Sequence, residues 1–238
     1  STTYSGVLSG SGDLTKIGAG NLTLSGQSTK TGTYNANGGT LSLTGASNTY
    51  RSLTDLNVNI NNGATVSIPM VSMGGVISSN MIWTFGSTGG GTLNINANFV
   101  NRGTNGNKFV TTGGAVNTIN GNINLDYLTN LAGPTFNIAD GTSSVPGLIH
   151  TGSVYNGSTT QGFTKLGVGK LILSGANDYK GPVTVSAGTL QLGNAGTTGA
   201  LGVNAGTVTL ASGSMLQINR SDAITLSNTI TGAGDLIQ

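Results

Sequence analysis

The sequence predicts an all-β chain wound as a solenoid of stacked parallel strands, and three observations point to it. Short apolar–polar–apolar runs recur along the chain, separated by Gly and Asn-Gly turns. The phrase "LTKIGAGNLTLSG" at 14–26 is written again at 163–175 as "FTKLGVGKLILSG". Within each copy the apolar pair returns after one fixed interval. Leu22/Leu24 is followed by Leu41/Leu43, and at the same spacing Leu171/Leu173 is followed by Leu190/Leu192.

Composition allows this fold and narrows the function classes. Of 238 residues only 7% are charged, there is no Glu, and Gly, Ser, Thr and Asn fill about half the chain. Yet 36% are hydrophobic and the mean hydropathy is +0.07. Disordered chains combine low hydrophobicity with high net charge, and this chain has neither. Nine scattered Lys and Arg give a net charge of +2 without a basic stripe, which argues against nucleic-acid binding. No run of eighteen apolar residues exists, so insertion into a membrane by a helix of this segment is not expected. Cys is absent, which removes disulfides and thiolate metal sites. The chain starts at Ser1 without Met and reads as a processed product or a piece of something longer.

The strands follow in order from period-two alternation, which sends alternate side chains to opposite faces. Leu22/Leu24 and Leu41/Leu43 open the series, then Val58/Ile60, "GATVSI" at 63–68, Leu93/Ile95, Ile123/Leu125 and Phe136/Ile138. The second half continues with Leu171/Leu173, Val183/Val185, Leu190/Leu192, Val208/Leu210, "GSMLQI" at 213–218 and Ile224/Leu226. Strands this short cannot bury two or three apolar residues alone. Stacking one coil on the next does bury them, in columns of Leu, Val and Ile. Coils of roughly 20 residues give ten to twelve layers and a rod about 50 Å long at a strand separation of ~4.8 Å. The domain reading is one β-helix over 1–238, with repeat-like coils at about 5–60 and 160–238 and an irregular middle at about 61–158.

The repeat is gapless. Aligned end to end, residues 14–43 and 163–192 agree at thirteen of thirty positions, among them Lys16/Lys165, Gly18/Gly167, Leu22/Leu171 and Leu24/Leu173. "TGAGDLIQ" at 231–238 parallels "SGSGDLTK" at 9–16. These phrases, with "FTKLGVGKLILSGANDYKGPVTVSAGTLQLG" at 163–193 the nearer match, resemble the autotransporter-associated β-strand repeat. That resemblance implies a right-handed parallel β-helix outside the cell, in the passenger region of type V secretion proteins or other large surface proteins.

Candidate sites are few. Catalytic, cofactor-binding and metal residues are all read as none. A glycosidase needs a positioned carboxylate pair, but the seven Asp residues (13, 55, 126, 140, 178, 222, 235) are scattered, and His150 has no nucleophile motif beside it. His150 reads as a solvated loop residue. Lys16 and Lys165 share a repeat position, which assigns them to the fold, as covers for a turn. Asn57/Asn59/Asn61, Asn94/Asn96/Asn98 and Asn120/Asn122/Asn124 alternate with apolar residues. Stacked in register they make either a face for sugars or, the favoured reading, a ladder of amides bonded to each other. The stretch 66–91 holds three of the four Met residues and the only Trp. It reads first as bulky core filler and second as an apolar partner patch.

The functional expectation is an extracellular structural rod, a surface stalk or adhesin passenger segment. The alternatives are a filament subunit stacking head to tail through open strand edges and, least favoured, a polysaccharide-active enzyme. Expected partners are other copies, end to end, or glycans of a host or neighbouring cell.

Overall fold

In the computed structural model the described residues are 1–26, 28–45, 57–68, 81–86, 88–95, 99–100 (backbone only), 108–125, 133–139, 147–157, 160–202 and 206–238. Each coil contributes one strand to each of two long sheets. The first sheet has 11 strands, running from Thr2–Tyr4 through Asn21–Leu24, Thr40–Leu43 and onward to Asp235–Ile237. The second has 10, from Leu14–Lys16 to Ile230–Gly232. Every strand pair among the described residues is parallel and joins one coil to the next. This is a parallel β-helix. Ten inter-strand steps of ~4.8 Å make the first sheet about 48 Å long.

The stacking accounts for the backbone polar groups that corners would otherwise strand. Ser25 N–H donates to Tyr4 O at 2.9 Å, Thr44 N–H to Leu24 O at 2.9 Å, and Asn37 N–H to Lys16 O at 2.8 Å. Glycine allows coils to lie this close. A Cβ on Gly175 would overlap the Gly152 carbonyl, and one on Gly152 the Gly121 carbonyl.

The core is the space between the sheets, filled by the alternating residues. Leu41, Val58, Ile60, Val66, Leu93, Ile119, Phe136, Leu171, Val183, Leu190 and Val208 are all fully buried. Ile224/Leu226 departs from the expectation. That segment alternates half-buried and exposed but forms no strand, and the chain next enters a sheet at Ile230.

Coil length varies by more than half. Successive register partners in the first sheet are Leu22, Leu41, Val66, Leu93, Ile119 and His150. The step from Leu22 to Leu41 is the shortest of these and the step from Ile119 to His150 the longest. The longer middle coils carry a third, three-stranded sheet made of Phe99–Val100, Ile123–Asn124 and Val154–Tyr155. They also carry the aromatic core. Trp83, Phe109 and Phe136 are register partners. Phe109 and Phe136 stack at 5.0 Å, and the Phe163 and Tyr179 rings continue edge-to-face at 5.5 and 5.4 Å. Met81 and Trp83 are buried, as core filler requires. Met70 and Met73 lie outside the described residues.

Equivalent residues of the two phrases do not share a column. Lys16 heads a column through Ala36, Ile60, Phe85, Thr111 and Ile138. Lys165 lies instead below Phe136, in the column of Leu14, Tyr34, Val58, Trp83 and Phe109. In the first sheet the Leu22 column reaches Leu173, the counterpart of Leu24. Both sheets are thus displaced by two positions in the same sense, about 7 Å along the strands. Two is even, so inward residues stay inward, whereas a slip of one would turn the core outside.

The C-terminal echo also has a different alignment. Leu14 lies in the second sheet, but Asp235–Ile237 lies in the first, on Met215–Gln217. The segment "GAGDLI" at 232–237 therefore occupies the place of "GAGNLT" at 18–23, and the parallel with 9–16 does not hold structurally.

Candidate functional site: lysine-capped corners and amide ladders

The repeated lysines close one corner of the rod. Lys16 ends a strand of the second sheet, and the chain then turns through Gly18 (φ 74°) into Asn21–Leu24. The same turn follows Lys165 through Gly167 (φ 75°), where the positive φ favours glycine. The Lys16 side chain faces inward, and its Nζ donates to Ile17 O (3.0 Å), Gly18 O (2.6 Å) and, one coil on, Gly38 O (2.9 Å). Lys165 Nζ repeats the pattern on Leu166 O (2.9 Å), Gly167 O (2.8 Å) and Ala187 O (3.1 Å). An ammonium has three donors, and here all three are used. Burial pushes the Lys165 ammonium down to about 8, still charged at neutral pH. One side chain thus satisfies turning carbonyls of its own coil and fastens the next. This is the turn-covering role the shared position suggested.

The opposite corner uses neutral side chains, which the sequence reading missed. Asn177 Oδ1 accepts from Val154 N–H at 2.9 Å, and its Nδ2 donates to Ala200 O at 2.8 Å, linking three coils. Asn156 Nδ2 donates to Gln161 O at 2.7 Å, while its Oδ1 accepts from Lys180 N–H at 2.9 Å. Ser28, the repeat counterpart of Asn177, donates to Leu8 O at 3.3 Å. A polar residue recurring at one repeat position was the available signal.

The Asn alternation resolves in part into amide rungs, whereas Asn122 Oδ1 accepts from Ser153 N–H at 2.9 Å. Asn59 Nδ2 donates to Asn35 Oδ1 (2.7 Å), Asn61 to Asn37 (2.9 Å) and Asn120 to Asn94 (2.9 Å). Partners sit on successive coils, so the amides bond to each other along the rod. Asn96 and Asn98 lie outside the described residues. On the outer face of the second sheet Thr135, Thr164, Thr184, Thr209 and Thr231 fall in one register file.

The acidic residues are dispersed. Asp13 Oδ1 accepts from Thr33 N–H at 2.8 Å. Asp222 pairs with Arg220 through two bonds of 2.8 and 2.7 Å, with the guanidinium also on Gly199 O and Thr197 O. Asp178 and Asp235 are exposed; Asp55, Asp126 and Asp140 lie outside the described residues. Among the described residues no three His, Cys, Asp or Glu side chains gather in a way that could hold a metal.

His150 is not a solvated loop residue. It ends the strand Leu148–His150 with no exposed surface, in the column between Ile119 and Leu173. Burial pushes its pKa down to about 4, opposed by the bond of Nε2 to Gly121 O at 2.8 Å.

Stacked coils, capped corners and amide ladders define a repeat β-solenoid whose corner Lys and paired Asn side chains hold coils together. The profile of the passenger-associated-transport-repeat, an autotransporter-associated repeat family, matches at residues 14–43 and 163–192, the windows of the internal alignment. The chain carries two copies of that repeat. No curated protein and no solved structure matches the chain.

Proposed function

We propose that the chain is a rod segment of a secreted or surface-exposed passenger, a stalk that carries an attached part away from the cell rather than an enzyme. The observation supporting this most directly is the pair of continuous parallel sheets, 11 and 10 strands long, without a break in strand pairing along the axis. A solenoid transmits length because each coil contacts only its neighbours. The side chains that elsewhere do chemistry have structural work here: Lys16 and Lys165 hold corners, Asp13 holds a turn, and His150 sits inside.

Small-angle scattering and electron micrographs of the purified chain test the reading, together with protease shaving of intact source cells. Separate rods about 50 Å long and release from the cell surface support a stalk. Filaments many times longer favour the head-to-tail subunit instead. Turnover of a neutral glycan, lost on His150→Gln or Asp178→Asn, would remove the proposal in favour of an enzyme.

A further inference from the structure

The first-sheet column that contains His150 is otherwise aliphatic over its buried length. It runs Leu41, Val66, Leu93, Ile119, His150, Leu173, Leu192. His150 stands where each of these coils places a branched hydrocarbon. Among the described residues the ring's one bonded partner is a carbonyl, so Nε2 carries the hydrogen and donates to Gly121 O. Nδ1 is then a bare acceptor, and it has no partner among the described residues.

A second inward polar group lies diagonally across the register. Asn117 pairs with Leu148, two positions before His150 on its strand. Asn117 is fully buried, and its Nδ2 donates to Ala115 O and Gly147 O, each at 3.0 Å. Its Oδ1 has no partner among the described residues. The longest coil, which separates the register partners Ile119 and His150, therefore holds two unsatisfied buried atoms. Each is a desolvated polar atom left unpaired, which destabilises the folded coil.

Among the described residues no opposite charge waits inside for a protonated imidazole; Asp126 and Asp140 lie outside them. Strands Asn117–Asn120 and Thr135–Ile138 carry no titratable group. Lys108 is exposed, and Lys170 bonds to Gln191 and Gln217 at 3.1 and 3.0 Å. Tyr155 and Tyr179 are phenols, neutral in acid. Asp178, beside the third sheet, is exposed. Among the described residues the buried charges facing the interior are ammonium groups, Lys16 and Lys165, of the same sign as His150 would acquire.

We propose that the paired strands Asn117–Asn120 and Leu148–His150 form an acid-operated joint: a proton taken up at His150 Nδ1 loosens this pairing while the repeat coils stay wound. The joint is closed at neutral pH. The depressed folded pKa means the unfolded chain binds the extra proton more readily between about 6.5 and about 4. Stability is complete above 6.5 and lost as pH falls toward 4. Over that span the folding equilibrium of the coil shifts by up to ~300-fold.

Hydrogen exchange at pH 7.0 and 4.5, corrected for intrinsic rates, is the test. In the wild-type chain exchange at 117–125 and 148–155 rises at least ~tenfold in acid, while 14–43 and 183–192 change little. In His150→Leu, which restores the column, the acid-dependent rise disappears. His150→Gln, neutral and polar, loses it too and serves if the Leu variant does not fold. An acid response unchanged in either folded variant, a rise spread evenly along the chain, or an NMR titration placing His150 at 6 or above overturns the proposal.

Discussion

The coils built on the repeat and those of the middle solve one packing problem by different means. In the repeat coils the chain returns quickly, from Leu22 to Leu41 and, by an equal step, from Leu171 to Leu190. There the tight corner is held by a lysine ammonium on three carbonyls. In the middle the step from Leu93 to Ile119 is longer, a third sheet appears, and Trp83, Phe109 and Phe136 fill the wider space. Coil length is thus free to vary, while strand pairing and the parity of inward residues are not. A short coil needs a cap for its crowded carbonyls; a long one needs volume.

Truncating the largest core side chain strikes the middle hardest. Trp83→Ala should cost about 3–5 kcal/mol in urea unfolding. Exchange protection should fall first at 82–85 and 108–111 and persist at 189–192. Equal loss at both would show that the two regions unfold as one and dissolve the contrast. Leu171→Ala, in a repeat coil, should cost about 3 kcal/mol, with the order of protection loss reversed.

Removing a corner cap ranks next. Lys165→Met keeps the apolar stem but leaves the Leu166, Gly167 and Ala187 carbonyls without their donor, at about 2 kcal/mol. Lys16→Met should behave alike at Ile17, Gly18 and Gly38. A neutral outcome at both positions by thermal melting would show that the cap is dispensable. The smallest effect belongs to the ladders: Asn59→Ala breaks one half-exposed amide bond to Asn35 and should cost about 1 kcal/mol or less. A larger loss would mean the rungs act cooperatively.

Much of this architecture is legible in the sequence because a parallel solenoid writes its core locally. Period-two alternation exposed Leu41/Leu43, Val58/Ile60 and Val183/Val185, all buried, and the shared interval from Leu22 to Leu41 and from Leu171 to Leu190 revealed the coil. Lys16 and Lys165 were legible as structural because they recur together. His150 was not. One polar residue in a strand resembles one in a loop until the register sets Ile119 and Leu173 on either side. The displacement between the two phrases was hidden for the same reason: register is a property of pairs of coils, and the distance between two copies along the chain does not encode it. Ile224/Leu226 failed because alternation without a paired neighbour does not make a strand.

That even-numbered displacement bears on how such a chain lengthens. Layers between two copies of the phrase can be gained, lost or widened, and the later copy still lands with its leucines inside, provided the drift is a multiple of two. The two lysine corners need no common meridian, because each is completed by the very next layer. Growth by insertion therefore leaves an existing cap working wherever the new layer does not part a lysine from the layer that follows it.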